Sequence, residues 1–307
     1  MKPLTLTLVL LACCHAHGQS DEAVSTPESG TPRSLDNLVI ITDPTSHPSL
    51  ETSFTLVEPF GHYHVSRLGS PYIYPFTTRP AFTGRDLIVD YSYRDGDGFS
   101  EQQYDVELHW AFTQQIGLVT EIPYIFENID GSPTESGFGD LTLAPRATVL
   151  ETDRFLVALQ SEFGLPTGSD ALGNESTITP GIVAWTDLGN WYTLHSQIGI
   201  QHEFDRDETQ LDFSFALIKS NSGRFSHTCV DGECDHSGDQ SQFNLHLEVS
   251  GSTPINDADR GDFSINGIIG MSYNLNDRFD IRAGYLFPLS TPKEFDHGFT
   301  TGLIYQF

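Results

Sequence analysis

From Arg85 to the C-terminus, apolar and polar residues alternate in segments that are separated by turn residues. In residues 103–112, for example, Tyr104, Val106 and Leu108 lie on one face of an extended chain and polar residues lie on the other. Period-two alternation is typical of a β-strand between an apolar and a polar environment. About twelve segments share this pattern: 86–94, 103–112, 116–126, 139–150, 154–165, 176–186, 191–204, 210–219, 242–251, 262–275, 278–287 and 298–307. The pattern predicts an all-β, antiparallel fold of about twelve strands.

The lengths of the segments and of their connections point to a membrane. Many segments have about 9–11 residues, which is what a tilted strand needs to cross a bilayer. Residues 113–115 and 151–153 form short connections, whereas 166–175 is long and polar. Short turns on one rim and long loops on the other are typical of a bacterial outer-membrane barrel, which we expect over residues 85–307. Counting back from the C-terminus puts the longest loop, 220–241, on the short-turn rim, so either one strand is miscounted or this loop is unusual.

The chain ends on an alternating segment whose last residue is aromatic, Phe307. This ending is similar to the terminal strand that the barrel-insertion machinery recognises in outer-membrane proteins. We therefore expect that machinery, through Phe307, and outer-membrane lipid as partners. The final strand of a soluble sandwich would alternate in the same way. A secreted β-sandwich that binds a carbohydrate-like ligand is therefore an alternative interpretation.

The N-terminus has the features of a secretory signal. Lys2 precedes an apolar stretch from Leu4 to Cys14, and Ala16-His-Gly18 offers small residues at a cleavage site. Residues 1–18 are therefore predicted to be a signal peptide, and the expected location is the bacterial outer membrane. Leu11-Ala-Cys-Cys14 permits a lipoprotein signal instead.

Residues 19–84 show no strand pattern. Residues 19–50 are rich in Ser, Thr, Pro, Asp and Glu, and residues 51–84 mix aromatic residues with Pro and Gly. This composition predicts a disordered or irregular N-terminal arm, whose second half could pack inside or beneath the barrel. No later run approaches about 18 apolar residues, so no transmembrane helix is predicted.

The charge balance restricts the partners. The chain has 15 basic and 42 acidic residues and a net charge of -27. Such a chain is repelled by phosphate backbones, which argues against a nucleic-acid partner. The mean hydropathy of -0.24 does not exclude a barrel, because barrel strands alternate apolar and polar residues.

If the apolar faces contact lipid, the opposite faces line a lumen. Nine acidic residues then face three arginines, which favours cations or neutral solutes over anions. The same charges could instead pair across strands and hold a narrow, non-conducting barrel shut. The predicted lumen-lining residues, with three histidines, are Asp90, Arg94, Asp105, Glu107, His109, Glu121, Arg146, Glu162, His195, Glu203, Asp212, His246, Glu248, Asp280 and Arg282.

Other chemistry has little support in the sequence. Cys229 and Cys234 are expected to form a small loop disulfide in an oxidising compartment. The flanking His227 and His236 permit a metal site instead, although the spacing is not that of a typical zinc site. We therefore predict no metal. No Gly-x-Ser-x-Gly, phosphate loop or dinucleotide fingerprint occurs, so neither an enzyme nor a cofactor is predicted.

One pair of motifs adds a family resemblance. Gly137-Phe-Gly-Asp-Leu-Thr-Leu-Ala-Pro-Arg146, followed by Glu162-Phe-Gly-Leu-Pro-Thr-Gly168, resembles bacterial outer-membrane transporters named for the meta-pathway of phenol degradation. Arg79-Pro-Ala-Phe-Thr83 is also similar. The resemblance covers most of residues 75–307 and implies a barrel that passes small solutes, aromatic or hydrophobic compounds among them. In this motif Asp140 is placed to accept hydrogen bonds from exposed amides at the rim.

Overall fold

The structure is a computed structural model. It describes residues 66, 68, 70–169, 172, 174–221, 229–230, 233–234, 242–256, 263–276, 278–291 and 293–307. The predicted signal peptide and most of the predicted arm lie outside these residues. In the part described, no helix is long and apolar enough to cross a membrane.

From Arg85 onwards the described residues form mainly antiparallel strands, and neighbouring strands of the barrel follow one another in the sequence. Their bounds are β1 (Arg85–Gly96), β2 (Phe99–Ala111), β3 (Ile116–Ile129), β4 (Glu135–Phe138), β5 (Leu141–Glu151), β6 (Phe155–Leu165), β7 (Thr177–Gly189), β8 (Tyr192–Glu203), β9 (Glu208–Ser220), β10 (Cys229–Val230), β11 (Glu233–Cys234), β12 (Phe243–Pro254), β13 (Ser264–Asn276), β14 (Phe279–Pro288) and β15 (His297–Gln306).

The sheet closes on itself, because β1 pairs with β15, with Ile88 opposite Ile304. β4 and β5 pair in turn with the same strand, β3, and therefore act as one interrupted strand. β10 and β11 form a separate two-stranded hairpin. The result is a closed antiparallel barrel of twelve strands, which confirms the predicted fold class.

Asp86 pairs with Gln306, so β1 begins and β15 ends at one rim of the barrel, here called the terminal rim. The opposite end is the distal rim. Residues 221–242 connect β9 to β12 at the terminal rim, together with the short turns at 112–115 and 152–154. The strands were therefore not miscounted, and the long loop is an unusual feature of the short-turn rim.

Three prolines lie inside barrel strands, and each one coincides with an interruption of the pairing. At Pro123, β3 changes partner from β5 to β4. The β5–β6 pairing pauses between residues 143 and 146, at Pro145, and the β7–β8 pairing pauses between residues 178 and 181, at Pro180. Proline has no N–H for a ladder hydrogen bond, so these positions are where the sheet tolerates it.

Asp140 of the family-like motif lies in the break between β4 and β5 and accepts hydrogen bonds from backbone amides at the rim, as the sequence predicted. The Asp140 carboxylate accepts hydrogen bonds from the backbone N–H groups of Thr167 (3.0 Å), Gly168 (2.8 Å) and Glu175 (2.9 Å). One side chain thus holds both ends of the β6–β7 loop at the distal rim.

The outward face carries large exposed hydrophobic side chains along the strands. Aromatic rings concentrate towards both rims. Near the terminal rim Trp110 packs against Phe307, with ring centroids 5.9 Å apart, and near the distal rim Tyr93 packs against Phe299 at 5.5 Å. Two aromatic belts around an apolar band are the surface of a barrel that sits in a bilayer.

Candidate functional site: a lumen occupied by residues 70–84

Residues 70–84, here called the lumen segment, precede β1 and lie inside the barrel. The segment contains Pro71, Pro75 and Pro80, which prevents it from joining the sheet as a regular strand. Its buried backbone groups must therefore find partners among side chains of the wall. The N–H groups of Phe76 and Thr77 donate to the two carboxylate oxygens of Glu248, at 2.7 and 2.9 Å.

Two arginines of the wall hold carbonyl oxygens of the same segment. Arg282 Nη1 donates to the carbonyl of Pro75 at 2.5 Å, and Arg146 Nη1 donates to the carbonyl of Phe82 at 3.2 Å. Arg282 also pairs with Asp90, with 3.0 Å between Arg282 Nε and Asp90 Oδ1. Two of the three arginines predicted to line a lumen thus anchor the chain that crosses it.

Arg79 of the lumen segment makes the largest ionic cluster. Its guanidinium pairs with Glu107 of β2 and Glu121 of β3, and its Nε lies 3.6 Å from Glu162 Oε1 of β6. Its backbone N–H donates to Gln197 Oε1 at 2.9 Å. Charges interact more strongly in a partly dehydrated lumen than in bulk water, so this clamp fixes the middle of the segment.

The lumen on the terminal side of the clamp is packed like a protein core. Tyr72 stacks on Phe82 at 5.0 Å and meets the edge of Trp185 at 4.9 Å. Tyr74 packs against Phe82 at 5.0 Å and donates a hydrogen bond to Asp86. Trp185 is fully buried in this cluster. Residues of the lumen segment and of the wall therefore close this half of the barrel.

On the distal side of the clamp the lumen is open and polar. A cavity of about 380 Å³ lies above residues 74–80, and a second cavity of about 270 Å³ shares Thr77, Gln197 and Asp212 with it. We call the two together the distal vestibule. Six carboxylates and three guanidiniums line the larger cavity: Asp90, Asp105, Glu107, Glu121, Glu162, Asp212, Arg79, Arg94 and Arg282.

The remaining predicted lumen residues lie below the vestibule or near the rims. Six of them are buried, namely His109, Arg146, His195, Glu203, His246 and Glu248. Near the distal rim the carboxylate of Glu203 lies 3.2 Å from Arg206 Nε. Near the terminal rim Asp280 Oδ2 accepts from Gln306 Nε2 at 3.3 Å. The fifteen residues thus divide between a vestibule, a packed interior and the strand ends.

The other predicted sites have less structural context. The backbone register places Cys229 directly opposite Cys234 in the β10–β11 hairpin, and the disulfide stays a prediction. Within the described ranges, no group of three His, Cys, Asp or Glu side chains could hold a metal ion.

Arg79 is the residue that the strand pattern did not find. It lies in a segment without periodicity, so alternation gave it no face and no partner. The one signal in the sequence was the motif Arg79-Pro-Ala-Phe-Thr83.

Residues 77–222, just under half of the chain, match the model of the family described as "Putative MetA-pathway of phenol degradation". This confirms the family resemblance seen in the motifs. The barrel is similar to the COG4313 outer membrane channel from Pseudomonas putida F1, at 14% identity and a TM-score of 0.50, over 76% of this chain and 100% of that one.

Two further barrels are similar to this one with lower TM-scores. The NanC porin has a TM-score of 0.46 at 11% identity, and LpxR from Salmonella typhimurium has 0.46 at 7%. Each comparison covers 72% of this chain and 100% of the other. No curated protein matches the sequence.

Proposed function

We propose that this chain, which resembles the phenol-degradation family and its channel-like barrels, is an outer-membrane channel for small solutes. The observation that carries the proposal is the distal vestibule, which leads from the distal rim to the Arg79 clamp and ends there. The lumen segment closes the path beyond this point. Solute passage therefore requires the segment to move, and the aromatic belts support an outer-membrane location.

A non-conducting, plugged barrel is the second candidate. The packing of Tyr72, Phe82 and Trp185 in the terminal half favours it, because these contacts resemble a permanent core. The anchors of the segment favour the channel. They are largely ion pairs and hydrogen bonds, and the cost of taking such charges out of water offsets much of their mutual attraction.

A reaction is not part of the proposal, although a Ser–His–Glu row occurs in the wall. Ser272 Oγ lies 3.0 Å from His246 Nε2, and His246 Nδ1 lies 3.5 Å from Glu248 Oε1. All three residues are buried, and Phe76 packs on the imidazole at 5.1 Å. These residues line neither cavity of the distal vestibule, so the vestibule does not expose the hydroxyl to a substrate.

The test is conductance of the purified full chain in planar bilayers, comparing the wild type with Arg79→Gln. Removing the guanidinium leaves three carboxylates facing one another and frees the lumen segment, so we expect a several-fold rise in open probability. Arg278→Gln, which removes an exposed guanidinium between β13 and β14, is the matched control and should behave as the wild type. Silence of both the wild type and the Arg79 variant would establish the plugged barrel.

A further inference from the structure

The geometry points to a binding site for an organic ammonium ion in the distal vestibule, between Glu162 and Asp212. This inference rests on the proposed channel and specifies its solute as a cationic amine. Because an ammonium group has only hydrogen-bond donors, two carboxylates with free oxygens are its natural partners. The site is defined by which oxygens of the vestibule already have partners and which do not.

Only one of the two carboxylate oxygens of Glu162 has partners among the described residues. Its Oε1 accepts from Gln160 Nε2 at 2.7 Å and from Gln197 Nε2 at 3.4 Å, and the same oxygen faces Arg79. Its Oε2 has no hydrogen bond or ion pair with any residue that the structure describes. One oxygen of the carboxylate is thus held in place while the other remains available at the cavity wall.

Asp212 has neither a hydrogen bond nor a cation partner within the described chain. It lines both cavities of the distal vestibule, and Glu162 lines the larger one with it. Two carboxylates in one cavity repel each other, and an ammonium ion bound between them offsets the repulsion. Carboxylates exceed guanidiniums by three in the larger cavity, so the wider field also favours a cation.

A buried hydroxyl supplies an independent indication of a ligand. Thr78 lines the same cavity and is 2% exposed, yet its Oγ1 has no partner among the described residues. Buried polar atoms are nearly always hydrogen-bonded, and an unmade bond is costly. A bound amine brings N–H donors to this side of the cavity, next to the Arg79 backbone.

The size of the site selects an organic cation over a metal ion. About 380 Å³ is a volume typical of small-molecule pockets. Tyr74 and Phe76 contribute aromatic surface to the lining, which suits the hydrocarbon part of an amine and attracts its charge. In the ranges described, no cluster of side chains has the geometry of a metal site.

The test is isothermal titration calorimetry, in which 1,4-diaminobutane is added to the refolded full chain in detergent. We expect saturable binding of the diamine and none of 1,4-butanediol, its neutral analogue. Asp212→Asn should weaken diamine binding about tenfold or more, because it removes a charge-assisted hydrogen bond. Asp130→Asn, which removes a carboxylate from an exposed turn at the distal rim, is the matched control and should bind as the wild type.

Three outcomes would overturn the site: no saturable diamine binding, equal affinity in Asp212→Asn, or magnesium chloride competing at equal concentration. A difference in SDS-gel mobility between unheated and boiled samples, with the gel run in the cold, shows that each variant is folded. If the protein conducts ions but does not bind the diamine, the binding site is contradicted and the proposed channel is not. If the protein binds the diamine but is electrically silent, the proposed channel is contradicted and the binding site is not.

Discussion

Single glycines on the lumen face make the room in which the lumen segment is held. A Cβ on Gly270 would come within 2.5 Å of the Phe76 ring, and a Cβ on Gly302 would clash with Asp90 Oδ1. The Asp90–Arg282 pair therefore depends on a missing methyl group at Gly302. Arg282 in turn holds the carbonyl of Pro75, so one glycine affects an anchor of the segment.

Gly302→Ala should displace the Asp90 carboxylate and weaken its pair with Arg282. We expect the free energy of unfolding to fall by about 1–3 kcal/mol, because a buried charged hydrogen bond is lost. Urea unfolding followed by tryptophan fluorescence measures it. Thr301→Ala, at the adjacent outward position, should change stability by less than about 0.5 kcal/mol. Equal stability of the two variants would show that the pair contributes nothing.

The alternation of apolar and polar residues predicted which wall side chains face the lumen, but it did not predict that the lumen segment occupies it. Glu107 and Glu121 could be assigned to the inner face because a strand turns every second side chain the same way. Their common partner Arg79 could not, because the contact joins residues 28 and 42 positions apart through a segment with no period. Sequence patterns report local geometry, whereas the clamp is a tertiary contact of an irregular chain.

At the scale of elements, the connection between β9 and β12 departs from the rest of the terminal rim. The other described connections there are short turns, and this one spans 221–242 and contains its own hairpin, β10–β11. A two-stranded hairpin is marginally stable by itself in water. Cys229 and Cys234 lie directly opposite each other in it, where a covalent bond would compensate for the missing core.

We expect these two cysteines to form a disulfide in the exported protein. Iodoacetamide applied under denaturing conditions should label neither thiol before reduction and both afterwards, which peptide mass spectrometry measures. Cys229→Ser combined with Cys234→Ser should leave the folded barrel intact, because the hairpin is separate from the barrel sheet. Full labelling of Cys229 and Cys234 without a reductant would contradict the disulfide.

At the scale of the whole molecule, the net charge of -27 is distributed by the fold. The outward band of the barrel is apolar, while carboxylates collect in the distal vestibule, where three of them surround Arg79. The sequence predicted a preference for cations from the number of acids on the inner face. The structure refines this interpretation, because Glu107 and Glu121 are neutralised in part by the arginine of the lumen segment.

Glu107→Gln combined with Glu121→Gln should therefore act twice on ion preference. It removes two negative charges and leaves Arg79 paired with Glu162 alone, so the cation-to-anion permeability ratio should fall and approach or cross unity. Reversal potentials across a potassium chloride gradient measure the ratio. At about 1 M salt the Debye length is about 3 Å, which screens charges at the rims. Glu127→Gln with Glu135→Gln, a facing pair near the distal rim, should then leave the ratio unchanged. If the inner pair also leaves it unchanged, ions do not pass the Arg79 clamp.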